Sequence, residues 1–324
     1  MFIFQQHWRT LIVLFAVLIA FFCPHRFVSS TFVYTDSSVF TCVWILFFLQ
    51  GLSIPAKELR AGFRPMRLHS FILAWNFLLF PLLVLTLLSA VGGLLRSELL
   101  LGFGLLAFLP TTVASATLFT ALCRGHVANA LFASVYSNVI GIFLLPVLTV
   151  VYFSFENTVS IPVWPLLSKL GFLIVLPLSL AQLMRRMQPV KAEQIDRSTK
   201  YLNSIIIAVI VHIAFAQSIY SGLLETIEFS ELVVVLFVCI FLICIVSVLV
   251  WQSLAWLGCT RPEKIAGFFC ASQKSLCTGL PLAISILSSL CKVPETAVIL
   301  IPLLCYYPLQ LLFAGLLSQK LQRT

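Results

Sequence analysis

Polar residues beside proline interrupt two long apolar stretches of this chain. The first interruption lies in residues 108–117 (FLPTTVASAT), and the second lies in residues 270–281 (CASQKSLCTGLP). Helix ends freed at such interruptions expose N–H groups that favour anions and carbonyl groups that favour cations. The two segments therefore predict a binding site for a small solute or ion in an otherwise apolar protein.

Lys274 is a basic residue in the middle of the second stretch. A charged side chain at the centre of a bilayer costs about 2.5 kcal/mol or more, so such a residue is expected to have a function. All eleven acidic residues lie in loops or at the ends of apolar runs, so the sequence offers no carboxylate at that depth. We expect Lys274 to replace a bound sodium ion, to pair with an anionic solute or to release a proton. The alternative is that it only hydrogen-bonds helix carbonyls.

Further polar side chains cluster at the two interruptions and in neighbouring apolar runs. They could bind the same solute, or they could only form hydrogen bonds between helices, for which small hydroxyl groups are common in membrane interiors. Besides Lys274, the candidates are Gln273, Ser115, Thr111, Thr112, Ser272, Ser275, Asn138 and His212.

The composition places this site in a membrane protein. Of the 324 residues, 61% are hydrophobic and 10% are charged, and the mean hydropathy is +1.09. Soluble domains have about a quarter of their residues charged. We predict ten membrane-spanning helices, because the apolar runs are continuous and do not alternate as strands do. The runs are 10–23, 38–54, 69–92, 99–122, 127–153, 166–184, 201–221, 231–257, 264–290 and 295–317. The predicted fold class is an all-α polytopic membrane protein.

The positions of lysine and arginine predict the orientation. With the N-terminus inside, fifteen basic residues fall in cytoplasmic segments and four in outer segments, and the twentieth is Lys274. This asymmetry follows the positive-inside rule, so both termini are predicted to be cytoplasmic. The net charge is +9, and the basic residues lie in short clusters between apolar runs. This pattern favours the lipid bilayer over nucleic acid as the partner. We expect a plasma membrane or a bacterial inner membrane.

An inverted repeat would account for the two interruptions. Ten helices with both ends inside divide into five plus five, residues 1–153 and 154–324, and the second set enters the membrane upside down. The interrupted runs are the fourth and the ninth, which are equivalent positions in the two halves. Both interruptions lie about 15 to 17 Å along their helices, near the centre of a bilayer core of about 30 Å.

At these residues the sequence resembles the bile acid:sodium symporter family (solute carrier family 10), and within it the member 7-like branch and its bacterial relatives. The resembling segments are residues 47–53 (FFLQGLS), 108–117, 123–128 (CRGHVA), 273–281, 301–304 (IPLL) and 308–310 (PLQ). The resemblance implies a panel of helices 1, 2, 6 and 7 and a core of helices 3–5 and 8–10, with helices 4 and 9 broken and crossing. Solute would bind in the crevice between panel and core, and their relative motion would give alternating access.

The same resemblance implies sodium sites that this chain only partly keeps. Ser115 and Gln273 match family sodium ligands, and Asn76 occupies the position of a family glutamine. Ala116 and Phe269 replace an asparagine and a glutamate. We therefore treat Ser115, Gln273 and Asn76 as possible weak sodium ligands and expect degenerate sodium sites.

The function predicted from the sequence is secondary active transport of a small organic anion. One alternative is a non-transporting membrane regulator or sensor on the same fold. Another is an exporter of the drug/metabolite type, which would be favoured if the fourth and ninth helices were continuous. We expect no enzymatic activity, because no span holds a paired carboxylate or a nucleophile near a histidine. No cofactor is expected, and the sequence leaves dependence on sodium and the formation of a homodimer open.

Overall fold

The computed structural model describes most of the chain in five long ranges, 36–53, 64–155, 163–187, 227–276 and 293–323. It also describes short helical pieces at 15–16, 18–19, 202, 205–209, 211–213, 215–216, 219, 279–280, 283–284 and 286–287. The regular secondary structure in these ranges is helical, and no strand occurs in them. The all-α class predicted from the continuous apolar runs is confirmed for this part of the chain.

Nine helices occupy the long ranges. They are α1 (Asp36–Ser53), α2 (Met66–Leu94), α3 (Ser97–Phe108), α4 (Ala114–Leu122), α5 (Val127–Phe155), α6 (Val163–Met187), α7 (Phe229–Trp256), α8 (Arg261–Ser272) and α9 (Val293–Arg323). In α2, a π-helical turn, Trp75–Leu79, separates the α-helical segments Met66–Ala74 and Phe80–Val91, and a 3-10 turn, Gly92–Leu94, ends the helix.

Four segments in the described ranges are long and apolar enough to cross a membrane. They are Met66–Leu94, Val127–Phe153, Phe229–Trp256 and Glu295–Gln322. These segments make the chain an integral membrane protein. The predicted runs 10–23 and 201–221 are described only in short pieces, so the count of ten helices and the inverted repeat stay predictions.

The chain forms two compact units. The first contains Met1–Ile54, Phe153–Glu228 and Leu280–Ile299, and the second contains Pro55–Tyr152, Phe229–Gly279 and Leu300–Thr324. The first unit thus holds the predicted runs 1, 2, 6 and 7, and the second holds the runs 3, 4, 5 and 8 with parts of 9 and 10. The division follows spatial contacts and not the order of the repeats, so the repeat boundary between residues 153 and 154 stays a prediction.

In the first unit, α1 packs closely against α6. A Cβ atom at Gly51 would lie 2.7 Å from the Cβ of Ala181, so glycine is needed where these helices approach. The side chains of Gln182 and Arg185 donate hydrogen bonds to the carbonyls of Gly51 and Leu52. Carbonyls at a helix C-terminus lack intrahelical partners, and these two bonds satisfy them.

In the second unit, α8 packs against α2, α4 and α7. A Cβ atom at Gly267 would lie 2.8 Å from side-chain atoms of Leu254 and Leu68, so the glycine allows α8 to approach its neighbours. A half-buried ion pair joins the residue before α3 to the first turn of α7, where Arg96 Nη2 lies 3.0 Å from Glu231 Oε2. These contacts hold the helices that carry the interrupted segments.

Candidate functional site

The fourth apolar run is interrupted as the sequence predicts. Helix α3 ends at Phe108, and α4 begins at Ala114. Leu109 has an extended backbone (φ −63°, ψ 140°), which ends the helix one residue before Pro110. A residue preceding proline is disfavoured in the helical region, so the sequence itself stops α3 at this point. A continuous helix here would have favoured the exporter alternative, and in this structure the helix is interrupted.

The ninth run is interrupted as well. Helix α8 ends at Ser272, and Gln273 adopts an extended backbone (φ −105°, ψ 138°). The two interruptions contact each other, because the main-chain N–H of Ser275 donates to the carbonyl of Pro110 over 2.8 Å. This bond brings the segments at 108–117 and 272–275 into one site within the second unit.

Lys274 lies at the centre of this site and is only 1% exposed. Its Nζ atom donates to the carbonyl oxygens of Asn76 at 3.0 Å, Ala107 at 3.3 Å and Leu109 at 2.9 Å. The Nζ atom also lies 4.0 Å from the centre of the Phe80 ring, a favourable position for a cation. An ammonium group has three N–H donors, and three carbonyls accept them.

The carbonyl of Asn76 is available because of the π-helical turn in α2. In this turn the N–H of Phe80 donates to the carbonyl of Trp75, five residues earlier. The corresponding partner for the Asn76 carbonyl would be residue 81, which is proline and has no N–H. The π turn together with Pro81 therefore leaves one carbonyl inside the helix for Lys274.

The carbonyls of Ala107 and Leu109 are available because α3 has ended. Three residues after Ala107 stands Pro110, which has no N–H. The N–H of Thr111, four residues on, donates instead to Ser137 Oγ at 3.3 Å. Leu109 is outside the helical conformation, so its carbonyl turns away from the helix. Each group that Lys274 binds is thus a main-chain acceptor released by an irregularity in the helices.

No carboxylate accompanies this ammonium group in the described part of the chain. The described acidic residues lie at or just before the first turn of a helix: Asp36, Glu98, Glu228, Glu231, Glu263 and Glu295. The charge of Lys274 is therefore balanced by carbonyl dipoles and an aromatic ring. The sequence placed the acidic residues correctly for these helices.

Gln310 in α9 holds the main chain of Lys274. Its Oε1 accepts a hydrogen bond from the N–H of Lys274 at 2.8 Å, and its Nε2 donates to the carbonyl of Lys274 at 2.7 Å. Gln310 is 3% exposed. Sequence analysis identified the triplet containing Gln310 through the resemblance but did not include it in the site. Its spacing from Lys274 gives no local signal, because 36 residues separate the two.

Ser115 and Gln273 also meet across the two interruptions. Ser115 Oγ donates to Gln273 Oε1 at 2.6 Å. Asn76 Nδ2 donates to the carbonyl of Cys270 in α8 at 3.2 Å. Among the described residues, Asn76 Oδ1, Thr111 Oγ1 and Gln273 Nε2 are buried without a hydrogen-bond partner. Polar side chains with unused hydrogen-bonding capacity thus lie around the segments that hold Lys274.

The other predicted residues of the second unit have identifiable surroundings. Asn138 Nδ2 donates to the carbonyls of Thr111 and Ser134, each at 2.7 Å, and so fixes the interrupted segment to α5. Thr112 is buried. Ser272 is half-buried, and its hydroxyl donates to the carbonyl of Phe268 in the preceding turn at 2.7 Å. Ser275 is buried and contributes its main chain.

His212 belongs to the first unit. It is half-buried, and its Nδ1 atom lies 3.1 Å from the carbonyl oxygen of Ala16. Its predicted role in binding stays a prediction.

Comparison with known proteins places the chain among transporters. The sequence profile of the SBF-like CPA transporter family matches residues 7–323. The "Putative symporter YfeH" of Escherichia coli (strain K12) is 27% identical over 318 residues, which cover 97% of this chain and 92% of that protein. An uncharacterised protein of Pseudomonas aeruginosa is 29% identical over 314 residues, with 97% and 92% covered.

Vertebrate relatives extend the comparison. The "Sodium/bile acid cotransporter 7" of Mus musculus is 28% identical over 289 residues, which cover 86% of this chain and 81% of that protein. The family is one of transporters and not of enzymes, in agreement with the sequence prediction. With a profile that matches nearly its whole length, this chain belongs to the SBF-like CPA transporter family.

Proposed function

We propose that this protein is a secondary active transporter of a small organic anion that works by alternating access, and that Lys274 takes the place of a bound sodium ion. The observation that carries the proposal is the contact of Lys274 Nζ with three carbonyls released at helix irregularities. Unwound main-chain carbonyls are the groups with which transporters of this general type hold a coupling cation. Here the cation is covalently attached to the protein.

The geometry favours this role of Lys274 over direct pairing with a solute. All three N–H donors of the ammonium group have carbonyl acceptors within 3.3 Å. A carboxylate on the solute could bind Nζ only by displacing one of these carbonyls. A buried carbonyl without a partner costs about 1 to 3 kcal/mol, which opposes the exchange.

The side chains that the resemblance assigns to sodium do not fit a sodium ion well. Ala116 and Phe269 supply no oxygen atom at their positions. Ser115 Oγ and Gln273 Oε1 are hydrogen-bonded to each other at 2.6 Å. A second cation close to Lys274 would also be repelled at low dielectric. We therefore propose that transport depends on sodium weakly or not at all.

An anionic solute suits the charge of the site. Lys274 brings a positive charge, and no described carboxylate lies beside it. The N-terminus of α4 begins at Ala114, where the helix dipole adds a partial positive charge. Relatives of this chain carry names that include bile acid, which is an organic anion.

The test measures uptake and sodium binding in matched variants. Full-length protein in proteoliposomes is assayed with a panel of labelled organic anions, under sodium, potassium and proton gradients. Thermal unfolding of Lys274→Ala is then followed as sodium is added, with potassium as the ionic control. Removal of the ammonium group leaves three carbonyls for a cation, so sodium should stabilise the variant more than the wild type. Sodium at about ten times its Kd adds about 1.4 kcal/mol to the free energy of unfolding.

Lys264→Ala is the matched control. Lys264 also lies over an aromatic ring, with Nζ 4.1 Å from the Trp251 centre, but in the first turn of α8. This variant should behave as the wild type toward sodium. A large sodium-specific stabilisation of the wild type would overturn the role of Lys274. Absence of uptake for every anion under every gradient would overturn the transport proposal.

A further inference from the structure

A second site lies away from Lys274, where three helix ends meet in the second unit. A cavity of about 270 Å³ is lined by residues that follow α4, begin α8 and end α9. Two of its lining residues are arginines, Arg124 and Arg261, and none is acidic. Arg261 Nη2 donates to the carbonyl of Leu321 at 3.2 Å, which fixes the guanidinium group at the cavity wall.

The main chain at Arg124 supports a role for its side chain. Arg124 has φ 58°, the left-handed conformation in which a helix C-terminus usually has glycine. A non-glycine residue in this conformation is under strain that the surrounding structure must offset, and such strain is concentrated at binding sites. This position holds arginine although glycine would fit the backbone better.

Close packing and hydrogen bonds fix the segments that line the cavity. A Cβ atom at Gly125 would lie 2.6 Å from Ile265 Cγ2, so the segment after α4 approaches α8 very closely. The N–H of His126 donates to the carbonyl of Pro262 at 3.0 Å and ties the two segments together. Glu263, which follows Pro262, accepts a hydrogen bond from the N–H of Thr260 at 2.9 Å within the start of α8.

We propose that this cavity, the Arg124–Arg261 pocket, binds the phosphate group of an anionic phospholipid. Guanidinium groups bind phosphate oxygens through paired, charge-assisted hydrogen bonds. The pocket lies at helix ends that carry exposed apolar residues, Leu122 at 43% and Val127 at 42% exposure, as expected beside lipid. Basic pockets between membrane helices on the predicted cytoplasmic side suit lipid headgroups. The binding is independent of solute transport at Lys274.

The test uses the purified full-length protein in a neutral detergent. Dioctanoyl phosphatidylglycerol is titrated while thermal unfolding and binding are followed, with dioctanoyl phosphatidylcholine as the zwitterionic lipid and potassium phosphate as the free anion. The wild type should bind phosphatidylglycerol and gain thermal stability, and phosphatidylcholine should have little effect. Arg124→Gln and Arg261→Gln should each weaken the binding about tenfold or more, since each removes charged hydrogen bonds.

Two further variants separate binding from folding. Arg124→Gly gives the left-handed position its preferred residue but removes the guanidinium group, so it should fold at least as well as the wild type and still bind about tenfold more weakly. Arg186→Gln, at an exposed position in the last turn of α6, removes the same charge elsewhere and should bind as the wild type does. Unchanged affinity in Arg124→Gly, or equal binding of both lipids, would overturn the proposal. Binding of free phosphate as tight as that of phosphatidylglycerol would overturn the lipid as its source.

Discussion

The side-chain amide of Gln310 pairs with both main-chain polar groups of Lys274, at 2.8 Å to the N–H and 2.7 Å to the carbonyl. The Lys274 side chain meanwhile binds carbonyls of α2 and of the segment that ends α3. One residue of the interrupted ninth run is therefore held by α9 through its main chain and by two other segments through its ammonium group. Gln310 thus positions the main chain of Lys274 and leaves all three N–H donors of the Lys274 ammonium group for the carbonyls.

Gln310→Leu should destabilise the protein by about 3 kcal/mol, because it leaves a buried N–H and a buried carbonyl without partners. The measurement is thermal or denaturant unfolding in detergent. Gln252→Leu, at an exposed position of α7, is the control and should change stability by about 0.5 kcal/mol or less. Equal stability of Gln310→Leu and the wild type would contradict the positioning role.

Ser115→Ala should impair transport more than it impairs folding. Ser115 Oγ donates to Gln273 Oε1 at 2.6 Å, and Gln273 Nε2 has no partner among the described residues. Loss of this bond frees the Gln273 amide at the site, and we expect a higher KM for the solute with a stability loss of about 1 kcal/mol. Uptake kinetics and unfolding are measured on the same preparation. Ser89→Ala, at an exposed position of α2, is the control. A KM unchanged from the wild type would remove this pair from the binding site.

Gly104→Ala should destabilise the packing of α3 against α5. A Cβ atom at position 104 would lie 2.1 Å from Tyr152 Cε1, and Tyr152 is only 8% exposed. Overpacking of this kind costs about 1 to 3 kcal/mol. Gly93→Ala is the matched control, since no atom lies within 4 Å of a Cβ there.

A smaller side chain at Tyr152 should relieve the clash at position 104. We therefore expect Gly104→Ala with Tyr152→Leu to lose less stability than the two single changes added together. Strict additivity would show that the two residues do not compete for the same space.

Sequence reasoning located the two helix interruptions because the relevant signals are local. Proline after Leu109 predicts the end of α3, and the polar residues around Lys274 predict the end of α8, and both helices end at these residues. The sequence also predicts a buried lysine without a carboxylate, since the acidic residues all fall near predicted helix ends. Gln310 was outside its reach, because 36 residues separate it from Lys274. The π turn at Trp75–Leu79 was also not predicted.

The amino-acid sequence alone determined that the chain is helical, that it is a membrane protein, and that a single lysine lies where two helices are interrupted. Hydropathy and proline decide these features residue by residue. The tertiary structure decided what the lysine binds. Its acceptors are main-chain carbonyls of Asn76, Ala107 and Leu109, which every residue type possesses and which become available only where a helix loses its internal hydrogen bonds. Since a carbonyl carries no side-chain signature, only the packing of these segments could select those three.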